Sequence, residues 1–147
     1  MCSNSTTIVL VSCVSRKREK PSAARDLYTS PWFFKARRYA ESSGFPWFVL
    51  SAKYGLVSPE RIIEPYERTL NTMPAAERHE WAEQASQQID ETIPNLSRVV
   101  FLAGKRYREF LSGYLLSRGV LVSIPMEGLR IGEQLNWLEQ NTPGSAA

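Results

Sequence analysis

The fold is decided by the stretch Thr7-Ile8-Val9-Leu10-Val11-Ser12, a run of β-branched and aliphatic residues near the start of the chain. Its apolar residues are continuous rather than alternating, which is typical of a strand covered on both faces, as in a parallel sheet between helices. The run is too short to span a bilayer and no cationic segment precedes it, so it predicts neither a membrane helix nor a signal peptide. It predicts a buried strand.

Strand and helix patterns alternate along the rest of the chain. Further strand-like runs cover residues 47–51, 99–102 and 120–124. Helices are predicted to begin at Pro31 after the capping residue Ser30, after Thr72, at Arg106 and near Ile131. Residues 53–73 are predicted to be irregular. The sequence therefore predicts an α/β fold, with a small parallel sheet of about four strands, Rossmann-like or flavodoxin-like, between helical layers.

The chain has the size of one domain. Its 147 residues are 43% hydrophobic, which is enough for one core. We expect a single domain over residues 1–141 and a disordered tail over residues 142–147. Two cysteines are too few for a disulfide framework. We expect a soluble, cytoplasmic protein without a membrane partner, and its oligomeric state stays open.

The net charge of +3 is mild, but the basic residues are clustered. Each cluster follows a predicted strand at a short distance. The clusters are Arg16, Lys17, Arg18 and Lys20; then Lys35, Arg37 and Arg38; then Lys105, Arg106 and Arg108. Such clusters form either a solvated basic face or a surface that binds phosphate, and the sequence leaves both interpretations open.

The first strand leads into a loop that carries a thiol, hydroxyls and cations. In open α/β sheets, ligands bind beyond the carboxyl ends of the strands. The loop residues are Ser12, Cys13, Ser15, Arg16, Lys17 and Arg18. Cys13 is either a thiolate activated by nearby cations or a buried structural cysteine. The hydroxyls and cations suit a phosphate or carboxylate better than covalent catalysis.

The second strand leads into the loop with the most candidate residues. Lys53 offers a charge, Tyr54 and Tyr66 offer flat faces with hydroxyls, and Gly55 permits a sharp turn. Ser51 and the earlier Tyr28 complete the predicted binding set. Glu64 is the candidate carboxylate, able to act as nucleophile, general base or stabiliser of an oxocarbenium-like centre. It is alternatively a turn residue or an ion-pair partner of Arg61 or Arg68.

The third and fourth strands lead into two supporting loops. Gly104 and Lys105 stand at the start of a helix, where free backbone N–H groups favour anions, although the Walker pattern is incomplete. Glu127 and Gly128 follow the last strand, and Gly128 either lets a ligand approach the backbone or serves helix packing.

Several site classes are not expected from the residues present. The single histidine, His79, lies mid-helix, so neither serine or cysteine triads nor a zinc set can be assembled. No GxGxxG fingerprint follows the first strand, and we expect no cofactor and no metal. The four tryptophans, Trp32 among them, are expected in the core.

The chain resembles a known domain family at these same loops. The residues that carry the resemblance are Cys13-Val14-Ser15-Arg16-Lys17, the run from Ala24 to Pro31, Leu50-Ser51-Ala52-Lys53-Tyr54-Gly55-Leu56 and Ile63-Glu64-Pro65-Tyr66. They resemble the DUF6884 type, an uncharacterised bacterial and phage family. The resemblance extends through Gly128 to Trp137.

Two more distant resemblances suggest a ligand class. The Tyr-Gly-Leu and Pro-Tyr pair is similar to the peroxide-stress YaaA family, whose members are associated with DNA binding. The first-strand Cys and Lys are similar to a domain of archaeosine synthases, which modify a deazaguanine base in transfer RNA. Ser12 stands where those synthases have proline, so their amidine-forming chemistry is not carried over. These resemblances imply nucleic acid or its bases as ligand.

Three functions follow as hypotheses. The first is an enzyme that processes a nucleotide, nucleoside or nucleic-acid base, cleaving or exchanging its base–sugar linkage. Lys17, Arg18 and Lys53 would then meet phosphate or ribose, Tyr28 and Tyr54 would hold the base, and Glu64 would act at the sugar carbon. The alternatives are a non-catalytic DNA- or RNA-binding module of the YaaA-like type and an interaction domain without a small-molecule site.

Overall fold

A five-stranded sheet forms the centre of the protein, whose computed structural model describes residues 6–12, 17–67 and 69–142. The strands of this sheet are β1 (Thr6–Ser12), β3 (Trp47–Ser51), β4 (Gly55–Val57), β6 (Leu96–Leu102) and β7 (Leu121–Ser123). A separate antiparallel pair consists of β2 (Ser22–Ala23) and β5 (Ile62–Ile63). The order in the central sheet is β4-β3-β1-β6-β7. Parallel pairing joins β3, β1, β6 and β7, which confirms the predicted α/β class.

The strand β4 lies in the stretch that was predicted to be irregular. It pairs antiparallel to β3, with Leu50 opposite Leu56. With three residues it is too short to carry a readable periodicity. The sheet therefore has one antiparallel edge strand beyond the four that the sequence predicts.

Within the described residues the chain forms five α-helices. They are α1 (Ala24–Leu27), α2 (Pro31–Ser42), α3 (Ala75–Thr92), α4 (Lys105–Ser117) and α5 (Ile131–Gln140). The hydroxyl of Ser30 accepts a hydrogen bond from the backbone N–H of Phe33 at 3.1 Å, so Ser30 caps α2 as predicted. Thr72 was predicted to cap the next helix, but it lies in a 3-10 turn, Leu70–Thr72, and Pro74 precedes α3. In the ranges described, none of these helices combines the length and the apolar character needed to cross a membrane.

The strand β1 is buried on both of its faces. Ile8 and Leu10 belong to the core shared with α3 and α4, whereas Val9 and Val11 belong to the core shared with α2 and α5. All four side chains are at most 1% exposed. Successive strand residues point to opposite faces, so an uninterrupted apolar run is what this position requires.

The chain after α5 was predicted to be a disordered tail from Thr142 onward. Thr142 itself is buried, and its hydroxyl donates to the carbonyl oxygen of Leu138. Residues 143–147 lie outside the described residues.

Helix α3 holds the turn between β3 and β4. The indole N–H of Trp81 donates to the carbonyl of Ser51 at 2.9 Å, and the amide oxygen of Gln88 accepts from the backbone N–H of Leu56 at 2.8 Å. Gly55 has a φ of 75°, and a Cβ at this position would stand 2.2 Å from the Gln88 oxygen. Glycine is therefore required here by backbone conformation and by the space that Gln88 occupies.

Replacing Gly55 with alanine tests this account. We expect Gly55→Ala to lower the free energy of unfolding by about 1–3 kcal/mol, because it strains a positive φ and displaces the Gln88 hydrogen bond. Gly113 within α4 is the matched control, since its φ is not positive and nothing lies within 4 Å of an added Cβ. Gly113→Ala should stabilise the helix by roughly 0.5–1 kcal/mol. Urea unfolding measures both, and equal effects of the two substitutions would contradict the account.

Candidate functional site

The sheet has its topological switch point between β1 and β6. From β1 the chain passes to β3 on one side, then returns to β6 on the other side of β1. Because the connections diverge there, a crevice opens beyond the carboxyl ends of these two strands. A cavity of about 540 Å³, called here the central cavity, occupies that crevice. Its lining consists of Ser12, Ser30, Pro31, Trp32, Asn71, Gly104, Tyr107, Ile131, Gln134 and Leu135.

Trp32 forms one wall of the central cavity and is held in place by Gln134. The indole N–H of Trp32 donates to the amide oxygen of Gln134 at 2.8 Å, and the amide nitrogen of Gln134 donates to the carbonyl of Leu129 at 2.9 Å. Both ends of the Gln134 amide are therefore engaged, which restrains the indole. With Ile131 and Leu135 of α5, Trp32 gives the cavity an apolar wall suited to a flat ring.

A second cavity adjoins the central cavity across Ser30 and Pro31. This basic cavity has a volume of about 390 Å³, and three arginines, Arg18, Arg25 and Arg37, line it. Arg37 donates to Asp26 at 2.9 Å and to Glu41 at 3.1 Å, so carboxylates neutralise it. Arg18 is exposed, and the Nε of Arg25 is 3.7 Å from the Asp26 carboxylate, which is a long contact.

A third cavity adjoins the central cavity on its other flank. This side cavity has a volume of about 150 Å³ and shares Trp32, Gly104 and Gln134 with the central cavity. Its polar walls come from the start of α4 and from the loop after β7. They include Lys105, Arg108, Glu127 and Gly128. Three of these were predicted as binding residues, and Arg108 is an addition.

Three tyrosines from three separate loops meet beside the basic cavity. The hydroxyls of Tyr28 and Tyr66 are 2.6 Å apart, and the ring of Tyr54 contacts that of Tyr66 edge-on, with 6.0 Å between centroids. Tyr28, Tyr54 and Tyr66 are called here the tyrosine cluster. Tyr28 also lines the basic cavity, so the cluster reaches the carboxyl edge of the sheet through this residue.

Cations lie over the faces of the tyrosine cluster. The ammonium of Lys17 is 4.4 Å from the ring centroid of Tyr66, and the ammonium of Lys53 is 5.3 Å from that of Tyr54. The guanidinium carbon of Arg61 lies 5.2 Å from the centroid of Tyr54. Such cation–π contacts hold positive charge at an aromatic surface. The structure thus brings together Lys17, Lys53, Tyr28, Tyr54 and Tyr66, which the sequence had proposed as one site.

Other predicted residues have different surroundings. Glu64 is exposed, lines none of the three cavities, and makes no ion pair with Arg61. The hydroxyl of Ser51 is buried and accepts from the backbone N–H groups of Lys53 and Tyr54, so it serves the β3–β4 turn. Cys13, Ser15 and Arg16 lie outside the described residues.

Comparison with known proteins bears on the family of the chain. The model of DUF6884, a family of unknown function, matches residues 8–140. The chain belongs to the DUF6884 family. This confirms the first resemblance; the distant likenesses to the YaaA family and to archaeosine synthases stay predictions.

One curated relative of this DUF6884 chain is the uncharacterized protein YfjM of Bacillus subtilis (strain 168). It is 32% identical over 102 residues, which make up 65% of this chain and 63% of the relative. The chain therefore spans less than two thirds of the length of that protein. No solved structure matches the DUF6884 chain.

Sequence reasoning missed several residues of the central cavity. Trp32 was expected in the core, yet it is half-buried and lines the cavity. Ser30 and Pro31 stand at the start of α2, on the connection between β1 and β3, and the rule that points to the carboxyl ends of strands also covers this connection. Gln134 carried no signal in the sequence, because its role depends on a partner distant in the chain, whereas Arg108 was noted only as a member of a basic cluster. Among the described residues, no three His, Cys, Asp or Glu side chains are grouped as metal ligands.

Gln134→Leu tests whether the glutamine holds Trp32. The substitution removes both hydrogen bonds of the amide, and we expect the free energy of unfolding to fall by about 1–2 kcal/mol. Gln140 is exposed on the same helix and has one long contact, at 3.4 Å, with Asn136. Gln140→Leu should change stability by less than about 0.5 kcal/mol. Urea unfolding with tryptophan fluorescence measures both; unchanged stability in Gln134→Leu would contradict the restraint.

Proposed function

We propose that the protein binds a nucleotide, nucleoside or nucleic-acid base in the central cavity and processes it at the base–sugar bond. The observation that carries the proposal is a cavity at the switch point, with a restrained indole as one wall and cationic cavities on both flanks. Its volume of about 540 Å³ lies within the range of small-molecule sites.

The central cavity suits a planar heterocycle. A base stacked on Trp32 would bury one face against the indole and its edges against Ile131 and Leu135, and base–aromatic stacking contributes roughly 1–3 kcal/mol. The hydroxyls of Ser12 and Ser30 and the amide of Asn71 supply polar groups at the same cavity. An apolar wall with few polar groups is the usual composition of a site that orients a flat ligand.

The chemistry we propose is hydrolysis or exchange of the base–sugar linkage, with Glu64 as the carboxylate. In the hydrolytic form the bond between the base nitrogen and C1′ breaks, water supplies the hydroxyl to C1′, and its proton goes to the base nitrogen. Glu64 would stabilise the cationic sugar carbon or attack it. It stands two residues before Tyr66 of the tyrosine cluster. The role therefore requires a ligand that extends past Tyr28 to that cluster.

Substitution of Glu64 tests the catalytic part of the proposal. In assays of base release from a panel of nucleosides and nucleotides, Glu64→Gln should abolish turnover and leave ligand binding by calorimetry largely intact, because it keeps the shape and removes the charge. Glu67 is the matched control, since it is exposed three residues further on. Glu67→Gln should keep wild-type turnover. Turnover retained in Glu64→Gln would exclude this role.

A second candidate function is a non-catalytic module that binds single-stranded nucleic acid. Cations beside tyrosine faces at Tyr54 and Tyr66 favour it, since such surfaces stack bases and track phosphates. Ion pairs weaken the case for this module, because Lys35 and Arg37 of the second basic cluster are bound to carboxylates. The basic surface is therefore smaller than the sequence count suggests.

Salt dependence tests this second function. If Lys17, Arg18, Lys53 and Arg61 each meet a phosphate, the plot of log affinity for single-stranded DNA against log salt should have a slope of about −3. Lys53→Gln should make the slope shallower by about 0.7. Lys35→Gln is the control, because Lys35 already pairs with Glu139 at 3.1 Å, and should leave the slope unchanged. A flat salt response in the wild-type protein would contradict the module.

A further inference from the structure

The wall of the side cavity includes an arginine whose side chain is largely buried. The side chain of Arg108 is 17% exposed, and its Nε atom is buried with no hydrogen-bond acceptor in the part of the chain that the structure describes. This N–H is not accessible from the cavity, but Arg108 also lines the cavity, and the nearest carboxylate oxygen, on Glu127, is 3.7 Å from a terminal nitrogen of its guanidinium. The terminal nitrogens therefore keep donors that an anion in the cavity can meet. We infer that the side cavity is the subsite for the phosphate monoester group of a nucleoside phosphate.

The charges at the side cavity leave room for an anion. Lys105 and Arg108 contribute two cations against the one carboxylate of Glu127. The Glu127 carboxylate is 3.7 Å from a terminal nitrogen of Arg108, and its side chain is 64% exposed. A contact this long and this exposed is weak, so an incoming phosphate can displace the carboxylate toward solvent. A guanidinium then presents paired donors to phosphate oxygens.

The backbone around the side cavity favours the same ligand. Helix α4 has 13 residues and begins after Gly104 with no side-chain cap, and Gly104 and Lys105 both line the cavity, so the N-terminal end of the helix lies at this site. Free N–H groups and the helix dipole attract negative charge. Gly128 lines the opposite wall, and nothing lies within 4 Å of the position its Cβ would take, which leaves space for close approach.

The side cavity and the central cavity form one binding region. They share Trp32, Gly104 and Gln134, so a phosphate beside Arg108 and a base on Trp32 are adjacent. The inference rests on the binding part of the proposed function, a base in the central cavity, and not on the role of Glu64. It makes the ligand a nucleoside monophosphate rather than a free base or an unphosphorylated nucleoside. A volume of about 150 Å³ suits one terminal phosphate group rather than the backbone of a strand.

Calorimetry with matched ligands tests the subsite. The probes are a panel of nucleoside 5′-monophosphates, the corresponding nucleosides, inorganic phosphate and a short single-stranded DNA. We expect wild-type protein to bind its preferred monophosphate at least about tenfold more tightly than the nucleoside, through charge-assisted hydrogen bonds. Arg108→Met should remove that difference and leave nucleoside affinity unchanged.

Three further variants control for charge and folding. Arg106 neighbours the site in sequence but is exposed and lines none of the three cavities, so Arg106→Met removes the same charge and should keep the tenfold difference. Glu127→Gln should tighten monophosphate binding severalfold, because it removes the competing carboxylate. If Arg108→Met does not fold by circular dichroism, Lys105→Met, at an exposed position, should still reduce the monophosphate preference.

The outcomes separate this inference from the proposed function. Equal affinity for nucleosides and monophosphates overturns the phosphate subsite and leaves the proposed function standing. Binding of inorganic phosphate that depends on Arg108, without binding of any nucleoside or nucleotide, keeps the anion site and overturns the nucleotide ligand. Tighter binding of DNA than of any monophosphate, lost in Arg108→Met, overturns the monoester assignment in favour of a polymer. Absence of binding by every probe overturns both proposals.

Discussion

The position of β1 between β3 and β6 is the constraint on which the rest of the structure depends. Parallel partners on both sides and helices over both faces bury residues 8–12 of β1, so this position in the fold requires a continuous apolar run. The chain crosses over β1 from one neighbour to the other, and the connections diverge beyond the end of this strand. The crevice is thus a consequence of strand order, and a binding site needs only suitable side chains at its rim.

At that rim, residues that build the fold also build the site. Ser30 caps α2 with its hydroxyl and forms part of the wall between the central and basic cavities. Gln134 joins α5 to α2 through Trp32 and thereby fixes the aromatic wall. A ligand would therefore meet groups that are already restrained by packing, and little side-chain entropy remains to be lost on binding. The restraint argues for a site with one preferred ligand orientation.

Local signals predicted the fold well and the site in part. The apolar run in β1 and the Ser30-Pro31 cap depend on neighbours in sequence, and the structure has both. Gly55 was predicted to permit a sharp turn in the binding loop, and its φ of 75° fits that prediction. The sequence did not show that the turn also needs space for Gln88, which lies 32 residues from Leu56, the residue it binds. The exposure of Trp32 likewise depends on Gln134, which is 102 residues away. Contacts of this kind arise from tertiary packing and leave no pattern in a single sequence.

The distribution of charge fits the proposed compact ligand better than it fits a long nucleic-acid strand. A strand requires a continuous line of free cations, because its affinity comes from many phosphates. On α2 that line is interrupted, since Lys35 and Arg37 already face Glu139, Asp26 and Glu41. Exposed ion pairs stabilise the fold little, yet they cancel the local field within a Debye length of about 8–10 Å. Lys53 and Arg61 at the tyrosine cluster and Lys105 at the side cavity lie outside these ion pairs, in places where a single small anion can meet them.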